Sequence, residues 1–296
     1  LYQAIARNRR NSWLLMFLFI LLFAAVGFIF GEYTGSGYFG LVIAFLIALA
    51  LCFGSYYYSD TIVLKATGAR PAEKEEYPHL VNSIEGLAIG AGLPTPRLYI
   101  VDDPTPNAFA TGRNPEKGVV AVTTGLIERL NRVEIEGVLA HEMAHIKNYD
   151  TRLATLAAVM VGAIVLLSEW MRRSFFFRSM RRSSSRNRKG AGPEAVIMVL
   201  GILMALLAPL FAQMLRLAIS RKREFLADAD GAMITRYPEG LASALEKISS
   251  DPQKLKNASQ ATAPLFIVNP FSTRGANNLF STHPPITERV EALRKM

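Results

Sequence analysis

The stretch Val138-Leu139-Ala140-His141-Glu142-Met143-Ala144-His145 carries two histidines four residues apart, with a glutamate directly after the first. On an α-helix that spacing stacks both imidazoles on one face, a turn apart, where they can share one metal ion. Glu142 then lies about 100° round the axis from His141, so it can reach a water on the ion without being a ligand. Neutral imidazoles suit zinc, and a metal-activated water beside a carboxylate is equipment for hydrolysis. The surrounding residues predict the helix that this geometry needs. Asn131 is placed to cap it, and Glu134, three residues on, completes a capping-box pair. No Pro or Gly interrupts Val138 to Tyr149.

Outward from this helix the chain is unusually apolar. Its 296 residues are 51% hydrophobic, with a mean hydropathy of +0.22. That exceeds what an ordinary soluble domain carries and points to a membrane protein with several apolar helices. The single cysteine, Cys52, excludes an internal disulfide and a cysteine-based zinc site. The net charge of +9 comes from basic residues flanking apolar runs, with no nucleic-acid recognition module, so the expected partner is an anionic lipid bilayer and not nucleic acid.

Two runs, Ser12 to Phe30 and Ser36 to Gly54, are each long enough to cross a bilayer. The short Gly31–Gly35 link makes them a hairpin whose long flanks share one compartment. The first is an anchor, since it lacks a small-residue cleavage site. Residues 55–150 change character. Asp60 to Lys65 extends the second helix, and Tyr77 to Gly92 reads as an amphipathic helix with Leu80, Val81, Ile84, Leu87 and Ala88 inward. Strands are expected at Arg97–Val101, Asn107–Gly112 and Gly118–Thr123, then a short helix from Thr124 to Leu130. Thr155–Trp170 and Ala195–Ala218 are a third and a fourth apolar run, separated by a basic Ser/Arg-rich loop, 171–193, expected to be exposed and disordered. The positive-inside rule is pulled both ways. The loop's arginines oppose Arg7, Arg9, Arg10, Lys65, Lys147, Arg152, Arg216, Arg221, Lys222 and Arg223, and the balance puts the catalytic side in the cytoplasm.

A catalytic zinc needs a third protein ligand. His79, His283 and many carboxylates are available, and spacing alone does not choose among them. Glu224 and Asp228 share one helical face, which would let one carboxylate bind the ion and the other orient a ligand histidine through its far nitrogen. The same spacing also fits a solvated face of a juxtamembrane helix. The Asn107–Gly112 segment is equally open, as an ordinary core strand or as an edge that pairs with a substrate backbone.

Several segments together resemble the HtpX-type membrane metalloproteases, relatives of the CAAX prenyl proteases and of the mitochondrial stress protease Oma. They are Pro106–Gly112, Val122–Leu126, Gly137–Ile146, Arg223–Asp228 and Thr282–Pro285 with Arg289, and with the four apolar runs they cover nearly the whole chain. The resemblance implies one Zn2+ per chain held by His141, His145 and Glu224, with Glu142 as general base and Asp228 supporting a ligand histidine. It implies that Asn107, Ala108, Phe109 and Ala110 form the substrate-pairing edge strand. It also implies that His283 steadies the oxyanion, with Arg289 serving the same region. The implied activity is zinc-dependent endoproteolysis of misfolded or damaged membrane proteins at the cytoplasmic face of a bacterial-type inner membrane.

The expected architecture is a mostly α membrane protein: four apolar helices plus an α+β zincin-like catalytic domain with a small β-sheet. Residues 1–54 form the transmembrane hairpin, 55–153 the first catalytic part, 154–219 the second apolar pair with its basic loop, and 220–296 the second catalytic part. Two rivals share these features. A non-catalytic zinc-containing scaffold or chaperone adaptor would have no use for Glu142. A prenyl-protein protease would need a cavity among the apolar helices to take its substrate.

Overall fold

The structure, a computed structural model, describes residues 2–35, 37–181, 201, 220–251, 255, 262–268 and 284–296. Helix α1 runs Tyr2–Thr34 and α2 Tyr38–Thr67, so the polar N-terminal residues are helical and the link between the two is shorter than the sequence suggests. Close approach explains the tight turn. A Cβ on Gly31 would stand 2.1 Å from the Gly37 carbonyl oxygen, so only glycine fits. α2 continues past its apolar run to Gly68, which ends it in the left-handed conformation with φ 69°.

The sheet has four strands in the order β1-β2-β4-β3: β1 Arg70–Pro71, β2 Arg97–Val101, β3 Ala108–Thr111 and β4 Val119–Thr123. β2 and β4 are parallel, and β3 lies antiparallel on the outer side of β4 with Ala108 opposite Val122. Helix α3, Pro78–Ala91, packs Leu80, Ile84 and Ala88 on the core, as its periodicity predicts. α4, Thr124–Arg129, leads into α5, Arg132–Lys147, which carries the two histidines.

The capping box forms: Glu134 N–H donates to Asn131 Oδ1 at 3.0 Å, and Asn131 N–H donates to Glu134 Oε2 at 2.9 Å. Ser243 Oγ and Lys247 Nζ then donate to the same carboxylate at 2.6 and 2.8 Å. These bonds tie the start of α5 to a later helix.

α6, Asp150–Arg181, follows at 82° to α5. The break needs neither Pro nor Gly. It falls at Tyr149, whose φ of 58° is costly for a bulky residue. The 171–193 loop therefore starts later than expected, because the backbone stays helical to Arg181. α7, Arg221–Thr235, α8, Pro238–Ser250, and α9, Ile286–Leu293, complete the catalytic half. The fourth apolar run, apart from Gly201, and His283 lie outside the described residues.

Among the described residues two helices are long and apolar enough to cross a membrane, Ile5–Phe28 and Tyr38–Thr67, or three if bent α5–α6 counts as one span. The four apolar helices of the sequence expectation are thus not all seen. Large side chains on the hairpin face outward, among them Trp13 at 60%, Phe17 at 61% and Phe53 at 61% exposure. A surface of that kind belongs in lipid. Inside, Leu15, Met16, Phe19 and Cys52 meet Leu156, Met160 and Ile164 of α6. A separate core joins α3, the sheet, α5, α8 and α9. Between the two, Val63 and Leu64 of α2 pack with Phe109, Val119 and Ala158. That junction holds the hairpin against the sheet.

Candidate metal centre

His141 and His145 point their Nε2 atoms at each other, 3.1 Å apart. Glu224, from the first turn of α7, brings Oε2 to 3.8 Å from His141 Nε2 and Oε1 to 3.6 Å from His145 Nε2. The donors of all three residues lie within 4.8 Å of one another. An ion at about 2.0–2.1 Å from tetrahedral donors separates them by roughly 3.3 Å, so the observed spacing suits a small ion.

The far ring nitrogens give an independent test of fit. His141 Nδ1 lies 3.0 Å from Asp228 Oδ1, and His145 Nδ1 lies 3.1 Å from Asp150 Oδ2. Each carboxylate favours a proton on the Nδ1 it faces, leaving both Nε2 atoms as lone-pair acceptors. Two lone pairs aimed at each other at this distance repel unless a cation, a metal ion or a proton, lies between them. The residues present therefore fit a metal.

Charge in the pocket agrees. Glu142, Asp150, Glu224 and Asp228 face the imidazoles, countered by Arg223 and Arg289. Burial opposes a charge on His145, but the Asp150 hydrogen bond and the Glu224 charge outweigh it and raise its pKa to about 9. Burial instead pushes His141 down to about 4. Burial also lifts the Glu142 carboxyl to about 7, with His145 opposing and Glu224 adding to the rise.

Local packing explains why α7 can serve α5. Glu224, Asp228 and Gly231 follow one another on the face turned to α5, and all are buried. A Cβ on Gly231 would come within 3.1 Å of the His141 backbone nitrogen. Glycine there lets the two helices approach closely enough for Glu224 to reach the histidines.

Arg289 is the largest fully buried side chain, at 0% exposure. Its Nε and Nη2 donate to the two Asp228 oxygens at 2.9 and 2.7 Å, and its Nη1 lies 3.4 Å from Glu224 Oε2. This fork holds the Asp228 carboxyl, despite its burial, far below the usual carboxylate range. Arg289 therefore sits beside the His141 ring, with Nη2 at 3.5 Å from Nδ1 and 3.3 Å from Nε2.

Three supporting residues escaped the sequence reading. Asp150 follows His145 by five positions, beyond a helix break with no sequence signature. Asn8, on the first membrane helix, donates from Nδ2 to Asp150 Oδ1 at 2.6 Å and to the Asn148 carbonyl at 2.9 Å. Asn148 Nδ2 donates in turn to Asp230 Oδ2 at 2.9 Å. An Asn among three arginines at the start of an apolar run was the one available hint of Asn8, and it points to no partner. Of the expected edge strand, Ala108 to Ala110 form β3, and Ala110 lines the cleft with Glu142, His145 and Glu224.

The chain is similar to several known proteins. The family model described as Peptidase family M48 matches residues 74–296. The "Protease HtpX homolog" of Dictyoglomus turgidum is 50% identical over 295 residues, covering 100% of this chain and 94% of the relative. The protein of the same name from Streptococcus thermophilus is 42% identical over 298 residues, covering 100% of both. Among solved structures, the crystal structure of S. mikatae Ste24p aligns with a TM-score of 0.52 and 21% identity. It covers 99% of this chain and 67% of that one, a likeness of fold.

Proposed function

The chain belongs to peptidase family M48 and is a membrane metalloprotease, and from that premise we propose that it uses one zinc ion held by His141, His145 and Glu224, with Glu142 as general base. The convergence of the three donors within 4.8 Å carries this assignment. Zinc, when bound, supplies Lewis acidity, making a water easier to deprotonate and polarising the scissile carbonyl.

The chain's own groups do the rest. Glu142 takes the proton from the attacking water and passes it to the leaving amine. Burial raises its proton affinity above that of an exposed carboxylate, which favours taking up the proton that it then hands on. Asp228 and Asp150 hold the two rings with Nε2 toward the ion. Arg289 acts as a positioning residue: its fork grips Asp228, and the same guanidinium lies 3.4 Å from Glu224 Oε2 and 3.3 Å from His141 Nε2. Asn107 to Ala110 on β3 form the edge with which an extended substrate backbone would pair. His283 steadies the oxyanion in the same scheme; a wild-type rate in His283→Phe would remove it.

The substrates are proteins, and we assign misfolded or damaged membrane proteins, met at the cytoplasmic face of a bacterial inner membrane. The apolar hairpin beside the cleft and the basic residues on the catalytic side support that placement. A structural zinc scaffold is disfavoured by a buried glutamate aligned beside the donors. Replacing Glu142 with Ala tests the reaction directly. Turnover should fall by about 10²–10⁴-fold while zinc stays bound; unchanged cleavage would refute the base.

A further inference from the structure

The strand edge that faces the cleft is already in use. One side of β3 pairs with β4. On the other side Phe109 forms an antiparallel bridge with Phe266, and Ile267 N–H donates to the Ala108 carbonyl at 2.9 Å. Asn107 fastens the same segment: its Nδ2 donates to the Val268 carbonyl at 2.9 Å, and Val268 N–H reaches its Oδ1 at 3.4 Å. The Phe109 and Phe266 rings meet edge to face, 5.1 Å between centroids. Arg289 Nη1 lies 3.4 Å from the Ile267 carbonyl, which connects the segment to the brace beside His141.

Pro264 to Ile267 thereby wall the cleft opposite Ala110, Glu142, His145 and Glu224. The cleft keeps about 40 Å³ of room. At about 10–15 Å³ per water, that suits an ion and a few waters but not a peptide.

We propose that residues 262–268 are an internal occupant of the substrate's strand position, and that the substrates admitted are extended apolar segments that displace it. The proposal rests on the proteolytic reading of the site. The occupant's side chains describe what the position accepts. Leu265 and Phe266 sink among Val63, Leu64, Phe109 and Ala158, while Ile267 packs into the core of the catalytic half. Both faces of the bound strand thus meet apolar surface. A chain with charged residues at these positions would bury them unpaired. An apolar segment lost from its native fold matches them.

Displacement is physically reasonable because the hold is short. A 3-10 turn at Ala263–Leu265 leaves Phe266 to Val268 to pair with β3. A substrate extended past Ala110 would make a longer ladder along the same edge. Until it does, the occupant lowers the fraction of protein competent to bind, and apparent affinity falls by that fraction.

The test uses the full chain, zinc-loaded in detergent, with Glu142→Ala to stop cleavage. The probe is fluorescent-labelled Pro-Leu-Phe-Ile-Val with blocked ends. Adding Ile267→Pro removes the N–H that bonds to Ala108, and adding Phe266→Ala removes the ring contact. Each should tighten peptide binding at least about fivefold, following the freed fraction, and an Asp at the probe's Phe position should abolish binding. In Glu142→Ala alone, peptide binding should strip hydrogen-exchange protection from the Ile267 amide. Variants that keep their zinc and melting temperature but bind the probe no better would overturn the proposal, as would an Ile267 amide that stays protected in the complex. If a variant fails to fold, the exchange experiment alone decides. Failure of the proteolytic reading would look different: a zinc-replete wild type that cleaves no protein, whatever the binding data.

Discussion

The two histidines occupy one helix a turn apart, yet different parts of the molecule hold them. Beside His141 stand Asp228 and Arg289, on α7 and α9, sealed at 0% exposure inside the catalytic half. Behind His145 stands Asp150, at the start of α6, held by Asn8 from the first membrane helix and by Arg223 at 3.6 Å. The first brace is a closed charge pair. The second is a mixed polar network that reaches into the membrane hairpin. The candidate site is thus tied to the hairpin at His145 through Asp150, and Asn8 Oδ1 also accepts from Arg223 Nη1 at 3.2 Å, beside Glu224.

The largest effect that separates the braces should come from Asp228→Ala. It removes both oxygens gripped by the Arg289 fork and leaves that buried charge with Glu224 at 3.4 Å, a loss of about 3–5 kcal/mol, in addition to weakening metal binding. Thermal melting with metal analysis should show both; a fully stable variant would mean that Glu224 alone suffices to balance Arg289. Asp150→Asn should act mainly on the ion. It keeps an acceptor for His145 but removes a charge, and zinc affinity should fall about 10-fold with a small change in melting temperature. Chelator competition reads this, and an effect as destabilising as that of Asp228→Ala would erase the contrast between the braces. The smallest effect on the ion should come from Asn8→Ala, which costs about 1–3 kcal/mol of stability from the polar partners it leaves buried and speeds zinc loss to a chelator less than Asp150→Asn does. Unchanged zinc loss would sever the hairpin from the metal centre.

What the sequence made legible follows the range of the interactions involved. The capping box at Asn131, the period of α3, three strands and the paired histidines all arise from contacts within a few residues, and each was readable. Glu224 and Asp228 were readable as a face but not as a ligand and its support. That choice depends on α7 crossing α5 at Gly231, 90 positions from His141. Asn8, Asp150 and the break at Tyr149 left no local mark, because their reason lies in buried polar contacts between distant segments. Leu265 to Val268 form an apolar run too brief to show a period, and its pairing with β3 joins residues about 157 positions apart. β1, two residues long, is too short for any periodicity.

The contrast between the braces has meaning only if both histidines serve one ion, so the most direct measurement is the zinc content of the purified full chain beside that of Glu224→Ala. One zinc per wild-type chain, and its loss at matched free zinc in the variant with the fold retained, is the predicted result. Equal zinc in both proteins, or none in an active wild type, would contradict the account.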